Sequence, residues 1–213
     1  MPVDNQPCLA LVTCGPQLEV ALAAPSSRTT SLVRLGGVAP RSTLTMAAVD
    51  LLTEDAGLTP DAIRTVVVSR GPGSFTGIRA GLATAFGLAA ATDADCLAYG
   101  SLLMLAARCA GPGFVWCAQP GRRGEVYAHR FEVPASGVPR ALGEIEIVPL
   151  TAISDRGPWS AAESLDLGDV ERATVARSSA EALLHLASEG VESEALEPLY
   201  VEGPPIHRPT KGP

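Results

Sequence analysis

The fold of this chain is decided by one stretch, Arg70-Gly71-Pro72-Gly73-Ser74-Phe75-Thr76-Gly77-Ile78-Arg79. It follows a β-branched run at 65–69, which predicts a strand, and it opens a helical pattern that we expect to continue to about Thr92. The stretch does not match either common nucleotide fingerprint. No Lys follows the glycines at P-loop spacing, and Thr76 stands where G-x-G-x-x-G needs its last glycine.

The glycine-rich turn has two interpretations, which the sequence leaves open. In the first, Gly71, Gly73 and Ser74 form an anion-binding loop, because backbone N–H groups at a helix N-terminus point outward and the helix dipole favours negative charge. In the second, the turn is a tight connection that needs glycine for its backbone angles, and Ser74 or Thr76 caps the helix.

Outward from this stretch, strand patterns and helical patterns follow one another. Residues 134–177 give no clear pattern, and the first helix has Ser42 as its expected N-cap and Gly57 as its stop. The alternation, with strand meanders at two places, predicts an α/β fold in two related lobes. The predicted strands are 8–13, 18–22, 31–35, 65–69, 96–98, 114–118 and 125–133, and the predicted helices are 42–56, 76–92, 101–110 and 178–188.

Composition narrows the function classes. The 213 residues are 46% hydrophobic and 18% charged, as in a packed globular protein. The net charge of −7 makes direct binding to a nucleic-acid backbone unfavourable, so we expect any contact with RNA to run through a partner. No apolar run reaches the roughly 18 residues of a membrane span, and residues 1–7 lack a basic cluster, which predicts a cytoplasmic protein without a signal peptide.

Catalytic and metal-binding motifs are missing from the sequence. The five cysteines form no C-x-x-C pair and lie mostly in apolar stretches, which favours buried thiols over a metal site. None of the three histidines lies near a nucleophile motif, and neither H-E-x-x-H nor G-x-S-x-G occurs. These patterns speak against a peptidase and predict that the chain has no catalytic residues and no metal site.

The helix that follows the glycine turn has almost no polar side, since Arg79 is its only charged residue. Gly77, Gly81 and Ala85 form a stripe of small residues, and each helical glycine costs roughly 1 kcal/mol relative to alanine. We expect either that the helix is buried inside its own domain or that it packs closely on a helix of another subunit. For the second case, the predicted interface is Thr76, Gly77, Ile78, Ala80, Gly81, Thr84, Ala85, Leu88, Met46 and Val49, and Gly81→Leu should block it.

Three motifs make the chain similar to a known family. Residues 69–81, the stretch Gly124-Glu125-Val126-Tyr127 and the stretch Glu197-Pro198-Leu199-Tyr200-Val201 resemble, in order and spacing, the motifs of the bacterial TsaB (YeaZ) family. The likeness covers about residues 9–201. It implies an actin-like, two-lobed fold of the sugar-kinase and heat-shock ATPase type. We place the first lobe with the partner-binding helices at 1–98, a shortened second lobe at 99–203 and a flexible tail at 204–213.

The resemblance also implies a role. A protein of this family is a non-catalytic partner of TsaD, the subunit that transfers threonylcarbamoyl to adenosine in tRNA, and the ATPase TsaE joins the pair. It implies that the helices at 42–56 and 76–92 contact TsaD. No cofactor is then expected on this chain alone, while ATP and metal belong to the partner subunits. For the isolated chain we expect a homodimer through the same helices.

Departures from the family pattern keep an alternative open. The family's Asp in the first strand is replaced by Val12, its Asp-Ala-Arg by Pro120-Gly121-Arg122, and a His at the start of the first helix by Arg41. A valine cannot support a metal and a phosphate as a carboxylate does. The changes favour a scaffold over an enzyme, but they also fit a diverged actin-like paralogue that binds ATP or another partner.

Overall fold

The computed structural model describes residues 6–25, 30–37, 41–122, 124–153 and 156–202, without the side chains of residues 41 and 42. In these residues the chain forms two β-sheets and four α-helices. The strands are β1 Cys8–Val12, β2 Leu18–Ala23, β3 Ser31–Leu35, β4 Thr65–Ser69, β5 Asp95–Tyr99, β6 Gly113–Pro120, β7 Glu125–Val133, β8 Arg140–Pro149 and β9 Trp159–Ala161. The helices are α1 Arg41–Asp55, α2 Phe75–Thr92, α3 Ser101–Ala107 and α4 Ser179–Ser188.

The first sheet has the strand order β3-β2-β1-β4-β5 in the described part of the chain. β1 pairs antiparallel with β2 and parallel with β4, so the direction of pairing changes at β1. Every residue of β1 and β4 is buried, as expected for strands covered on both faces. Helices α1 and α2 contact each other and also contact this sheet.

The second sheet repeats the plan of the first. Its order is β8-β7-β6-β9, in which β6, β7 and β8 form an antiparallel meander and β9 pairs parallel with β6. This matches β3-β2-β1-β4 position by position. The duplication confirms the predicted α/β, two-lobed fold of the actin-like type.

Sequence patterns missed two strands and misplaced one helix end. β8 has ten residues, and its alternation of polar and apolar residues is confined to Glu144-Ile145-Glu146-Ile147 after the glycine at 143, which is too short a pattern to mark the whole strand. β9 has three residues, too few for any periodicity. α3 ends at Ala107 rather than at the expected Ala110. The N–H groups directly after Ala107 donate back to carbonyls of α3 and form a turn that ends the helix.

Helix α4 lies far along the chain but belongs to the core of the first sheet. It contacts β1, β2 and β4, and its buried leucines join the same apolar cluster. The expected lobe boundary near residue 98 stays a prediction. The packing crosses this boundary, because α4 follows it in sequence but contacts the first sheet. The stop of α1 at Gly57 is confirmed, since Gly57 has φ +65° and its N–H bonds Glu54. The expectation that Ser42 is the N-cap is wrong, because α1 already begins at Arg41. The 204–213 tail lies outside the described residues.

No helix among the described residues is long and apolar enough to cross a membrane.

Candidate partner-binding face and interlobe cleft

Helix α2 begins where the glycine turn ends, and Ser74 caps it. The Ser74 hydroxyl accepts a hydrogen bond from the N–H of Gly77 at 3.3 Å, which decides between the two expected caps. The helix ends at Asp93, which has a left-handed φ of +53° and bonds the carbonyl of Ala89 through its N–H. The helix is therefore fixed at both ends by local hydrogen bonds.

The backbone explains both glycines of the turn. Gly71 has φ +101° and Gly73 has φ +155°, angles that L side chains rarely adopt. A Cβ on Gly73 would lie 2.8 Å from the carbonyl oxygen of Cys14, and the Ser74 N–H donates to that same oxygen at 2.9 Å. The turn is thus fitted against the end of β1 as a tight connection. Anion binding by Gly71, Gly73 and Ser74 stays a prediction.

The small-residue stripe of α2 faces the chain's own first strand, which corrects one expectation. A Cβ on Gly77 would overlap the carbonyl oxygen of Thr13, and a Cβ on Gly81 would overlap the Thr13 hydroxyl. That hydroxyl donates a 2.7 Å hydrogen bond to the Gly77 carbonyl. The glycines are therefore required because Thr13 approaches the helix, and not because another helix does. Gly81→Leu would disturb the fold and cannot serve as a clean test of an interface.

The predicted interface residues divide into two groups. Gly77, Ile78, Gly81, Ala85, Leu88 and Val49 are buried within the chain, so they cannot contact a partner directly. Ala80 and Thr84 are half-buried, and Thr76 and Met46 are exposed, Met46 by 40%.

The helical period explains why an apolar stripe at four-residue spacing does not stay on one side of α2. Ile78, Leu82 and Phe86 read in sequence as one stripe, but Ile78 and Leu82 are buried whereas Phe86 is 44% exposed. Four residues advance a helix by about 400°, so each step of four turns the stripe by about 40°. After two steps Phe86 has rotated off the sheet and into solvent.

The exposed sides of α1 and α2 together form what we call the α1–α2 face. On α2 it contains no acidic residue, and Arg79 is its only cation. On α1 it includes Met46 and Leu51, the latter 56% exposed, beside acidic residues near the end of the helix. The members of the face are Thr43, Met46, Ala47, Asp50, Leu51, Glu54, Thr76, Arg79, Ala83, Phe86, Gly87 and Ala90.

A cleft separates the glycine turn from the hairpin that joins β6 and β7. It holds a cavity of about 390 Å³ lined by Cys14, Gly73, Ser74, Gln119 and Gly121, among others. A second cavity of about 220 Å³ lies beside it, and its walls include Phe75, Arg122, Tyr127 and the segment 199–202. The sequence predicted the glycine turn and both strands of the hairpin, but not that the hairpin faces the turn.

The carboxylate that pairs in register with Val12, that of Glu19, has a structural role. Glu19 is opposite Val12 in the β1–β2 register and is 4% exposed. One of its oxygens is 2.9 Å from Arg34 Nε, and the other accepts the N–H of Ala180 at 2.9 Å. Glu19 thus joins the first sheet to α4. Among the described residues, no group of three His, Cys, Asp or Glu side chains is arranged to hold a metal ion.

The cysteines are free thiols and mostly buried, as expected. All five are free, and four are buried. Burial raises the pKa of Cys8 to about 12 and raises that of Cys117 well above its ordinary value. A raised pKa keeps a thiol protonated and therefore poorly nucleophilic.

Known proteins resemble this chain in both sequence and structure. The family model described as TsaD: tRNA N6-adenosine threonylcarbamoyltransferase matches residues 21–164. The tRNA threonylcarbamoyladenosine biosynthesis protein TsaB of Bacillus subtilis (strain 168) is 38% identical over 90 residues. That alignment covers 41% of this chain and 38% of the relative, so it spans well under half of the relative's length.

Two solved structures from Pseudomonas aeruginosa share the fold. YeaZ superimposes with a TM-score of 0.71 at 28% identity, covering 92% of this chain and 100% of that one. An uncharacterized protein with similarity to peptidase YEAZ gives a TM-score of 0.75 at 24% identity with the same coverage. The family-model match extends over more than half of the 213 residues. The chain therefore belongs to the family of the tRNA N6-adenosine threonylcarbamoyltransferase model, and within it to the TsaB (YeaZ) group.

Proposed function

We propose that this chain is a non-catalytic subunit of tRNA threonylcarbamoyladenosine biosynthesis, which binds the catalytic subunit TsaD through its α1–α2 face. The observation that carries the proposal is the exposed side of α2, which presents Ala83, Phe86, Gly87 and Ala90 to solvent with Arg79 as the only charge. A surface helix of a monomer has a polar outer side. A helix without one is stabilised when another protein covers it.

The exposed apolar side chains supply a driving force for association. Phe86, Leu51 and Met46 are between 40% and 56% exposed, and full burial of such a side chain stabilises by about 1.5–3 kcal/mol. Since each is already partly buried, about 1 kcal/mol per side chain remains available from covering it. Small neighbours such as Ala83 and Gly87 allow a partner backbone to approach closely.

The B. subtilis relative is named as a biosynthesis protein for this tRNA modification, and the family model is that of the transferase. We infer that the chain contacts tRNA only through TsaD, since its net charge is −7. TsaE is the expected third member, and ATP and metal act on the partner subunits. Without TsaD, two copies of this chain form a homodimer through the α1–α2 face. Binding of TsaD to the same face replaces the homodimer by the heterodimer.

Co-purification with TsaD from the same organism tests the proposal. Phe86→Glu replaces a large exposed apolar side chain of the face with a charge, and we expect it to abolish the complex. Phe114→Glu is the matched control, because Phe114 is also an exposed phenylalanine, at 54%, but lies on the second sheet. Loss of binding by Phe86→Glu alone supports the face. A wild-type chain that does not bind TsaD, or equal binding by both variants, contradicts the proposal.

The cleft favours a second candidate, an actin-like protein that binds ATP itself. The cavity of about 390 Å³ lies between the glycine turn and the β6–β7 hairpin, where it borders Gly15, Gly73 and Gly121. Against it, Val12 supplies no carboxylate and Glu19 is paired with Arg34. Calorimetric titration of the isolated chain with Mg-ATP separates the two, since micromolar binding would favour the second candidate.

A further inference from the structure

Residues 191–202, which we call the C-terminal strap, cross the first lobe and reach the second. The first part of the strap is anchored on buried groups at the ends of β4 and β5. Arg70, which is only 9% exposed, binds the Glu194 carboxylate at 3.0 Å through Nη1 and the Glu197 carbonyl at 2.9 Å through Nε. The other oxygen of Glu194 accepts the N–H of Gly100 at 3.0 Å.

Backbone bonds strengthen this anchored part, which we call the root. The N–H of Glu194 donates to the Ala98 carbonyl at 2.9 Å, and the Tyr99 hydroxyl donates to the Val191 carbonyl at 2.8 Å. These contacts add the root to the end of β5. The root is therefore tied to the first lobe by both side-chain and backbone hydrogen bonds.

The last part of the strap, residues 200–202, is held differently, and we call it the tip. Tyr200 is 48% exposed and stacks on Phe75, which is 56% exposed, with ring centroids 5.5 Å apart. Glu202 Oε2 accepts the hydroxyl of Tyr127 at 2.9 Å and lies 3.4 Å from Arg122 Nε. Both Tyr127 and Arg122 belong to the second lobe, so Glu202 joins the two lobes across the cleft.

We propose that the strap is a closure for the interlobe cleft, in which the root is fixed and the tip opens and closes with Glu202 as its latch. The tip and Leu199 form one wall of the 220 Å³ cavity, opposite Pro120, Arg122 and Tyr127. When Glu202 leaves Tyr127, that wall is removed and the cavity joins solvent. The polar contacts at both ends are partly buried, but their partners differ: Arg70 and Tyr99 at the root are buried, whereas Arg122, Phe75 and Tyr200 at the tip are exposed. The tip therefore opens first.

Backbone order measured by ¹⁵N relaxation tests the closure on the full chain. In the wild type the amides of Glu194 and Val201 should both be ordered, with order parameters of about 0.85. In Glu202→Ala the value for Val201 should fall below about 0.6, while that for Glu194 stays unchanged. Glu197→Ala is the matched control, because Glu197 contributes to the strap through its backbone carbonyl and its side chain is exposed. It should leave both amides ordered.

A second readout reports the latch itself. Burial, the hydrogen bond to Glu202 and the charges of Glu202 and Glu125 raise the pKa of Tyr127, and Arg122 opposes them. Glu202→Ala should lower that pKa in an absorbance titration, and Tyr127→Phe identifies the transition. The proposal is overturned if Val201 is mobile in the wild type, if it stays ordered in Glu202→Ala, or if Glu194 loosens together with it. None of these outcomes depends on TsaD binding.

Discussion

Thr13 and Gly77 lie in direct contact, where the end of the first strand meets the first turn of α2. The Thr13 hydroxyl donates to the Gly77 carbonyl at 2.7 Å, and the Thr13 carbonyl occupies the space that a Cβ on residue 77 would need. One turn later the same hydroxyl fills the space beside Gly81. This contact sets the distance between α2 and the first sheet, and it determines which side of the helix is left for solvent or a partner.

Two glycines of the same helix should respond oppositely to alanine. Gly81→Ala should lower the free energy of unfolding by about 1–3 kcal/mol, because the new methyl group meets Thr13 in a packed contact. Gly87 is exposed and a Cβ there meets nothing within 4 Å, so Gly87→Ala should raise stability by about 0.5–1 kcal/mol through helix propensity. Urea unfolding measures both. A neutral Gly81→Ala would mean that Thr13 does not limit the approach of α2.

Arg70 should matter far more than Arg79, although both lie in the deciding stretch. Arg70→Met leaves Glu194 without its cation and Glu197 without its donor, and we expect a loss of about 2–3 kcal/mol. Arg79 is exposed and lies over the Phe75 ring at 5.3 Å, so Arg79→Met should cost less than about 1 kcal/mol. Thermal unfolding distinguishes them, and equal losses would contradict the buried role of Arg70.

Tyr99 should make the protein less stable at alkaline pH. Burial, with smaller effects from Cys8 and Glu194, raises the pKa of Tyr99 from 10 to about 12. The folded chain then keeps this proton at pH values where the unfolded chain loses it. The stabilisation is complete below pH 10 and is lost as the pH rises towards 12, by about 1 kcal/mol at pH 11.

Comparison with Tyr99→Phe isolates this part of the pH dependence. Between pH 9 and pH 11, the free energy of unfolding should fall by about 1 kcal/mol less for the variant than for the wild type. Denaturant unfolding at the two pH values measures this difference. Cys8 contributes in the same direction, since its own pKa is raised to about 12, and its effect remains in both proteins. Identical losses in the two proteins would show that the Tyr99 phenol ionises normally.

Ser178 should be required for the last helix. Its hydroxyl accepts the N–H of Glu181 at 3.1 Å, while the Glu181 carboxylate accepts the N–H of Ser178 at 2.8 Å, which forms a capping box. Ser178→Ala should cost about 1 kcal/mol. Ser188→Ala, at the exposed other end of α4, should stay within about 0.5 kcal/mol of the wild type in the same unfolding assay.

Local sequence patterns identified the elements with strong periodicity. Strand β4 is a run of β-branched residues, and α4 shows an apolar side behind a serine cap, so both were predicted close to their observed bounds. β8 was not predicted because it is an edge strand with nine of its ten residues at least partly open to solvent. Such a strand is held by backbone bonds to β7, which leave no mark on its own residue pattern.

The candidate site was only partly predictable for a related reason. The stripe of Gly77, Gly81 and Ala85 shows that something approaches α2 closely, but a pattern within one helix does not say what approaches. The observed neighbour is Thr13, 64 residues from Gly77 in sequence. Phe86 follows Ile78 and Leu82 at four-residue spacing but is exposed, because this spacing drifts around a helix.

The sequence by itself determined that a helix follows the glycine turn, which strands and helices surround it, and which family the motifs resemble, because these depend on periodicity and short spacings. Only the tertiary structure decided which side of α2 is free and how the strap is held. Arg70 and Glu194 are 124 residues apart, and Tyr127 and Glu202 are 75 apart. Contacts at such separations depend on how the sheets and loops pack together, which no local pattern of side chains records.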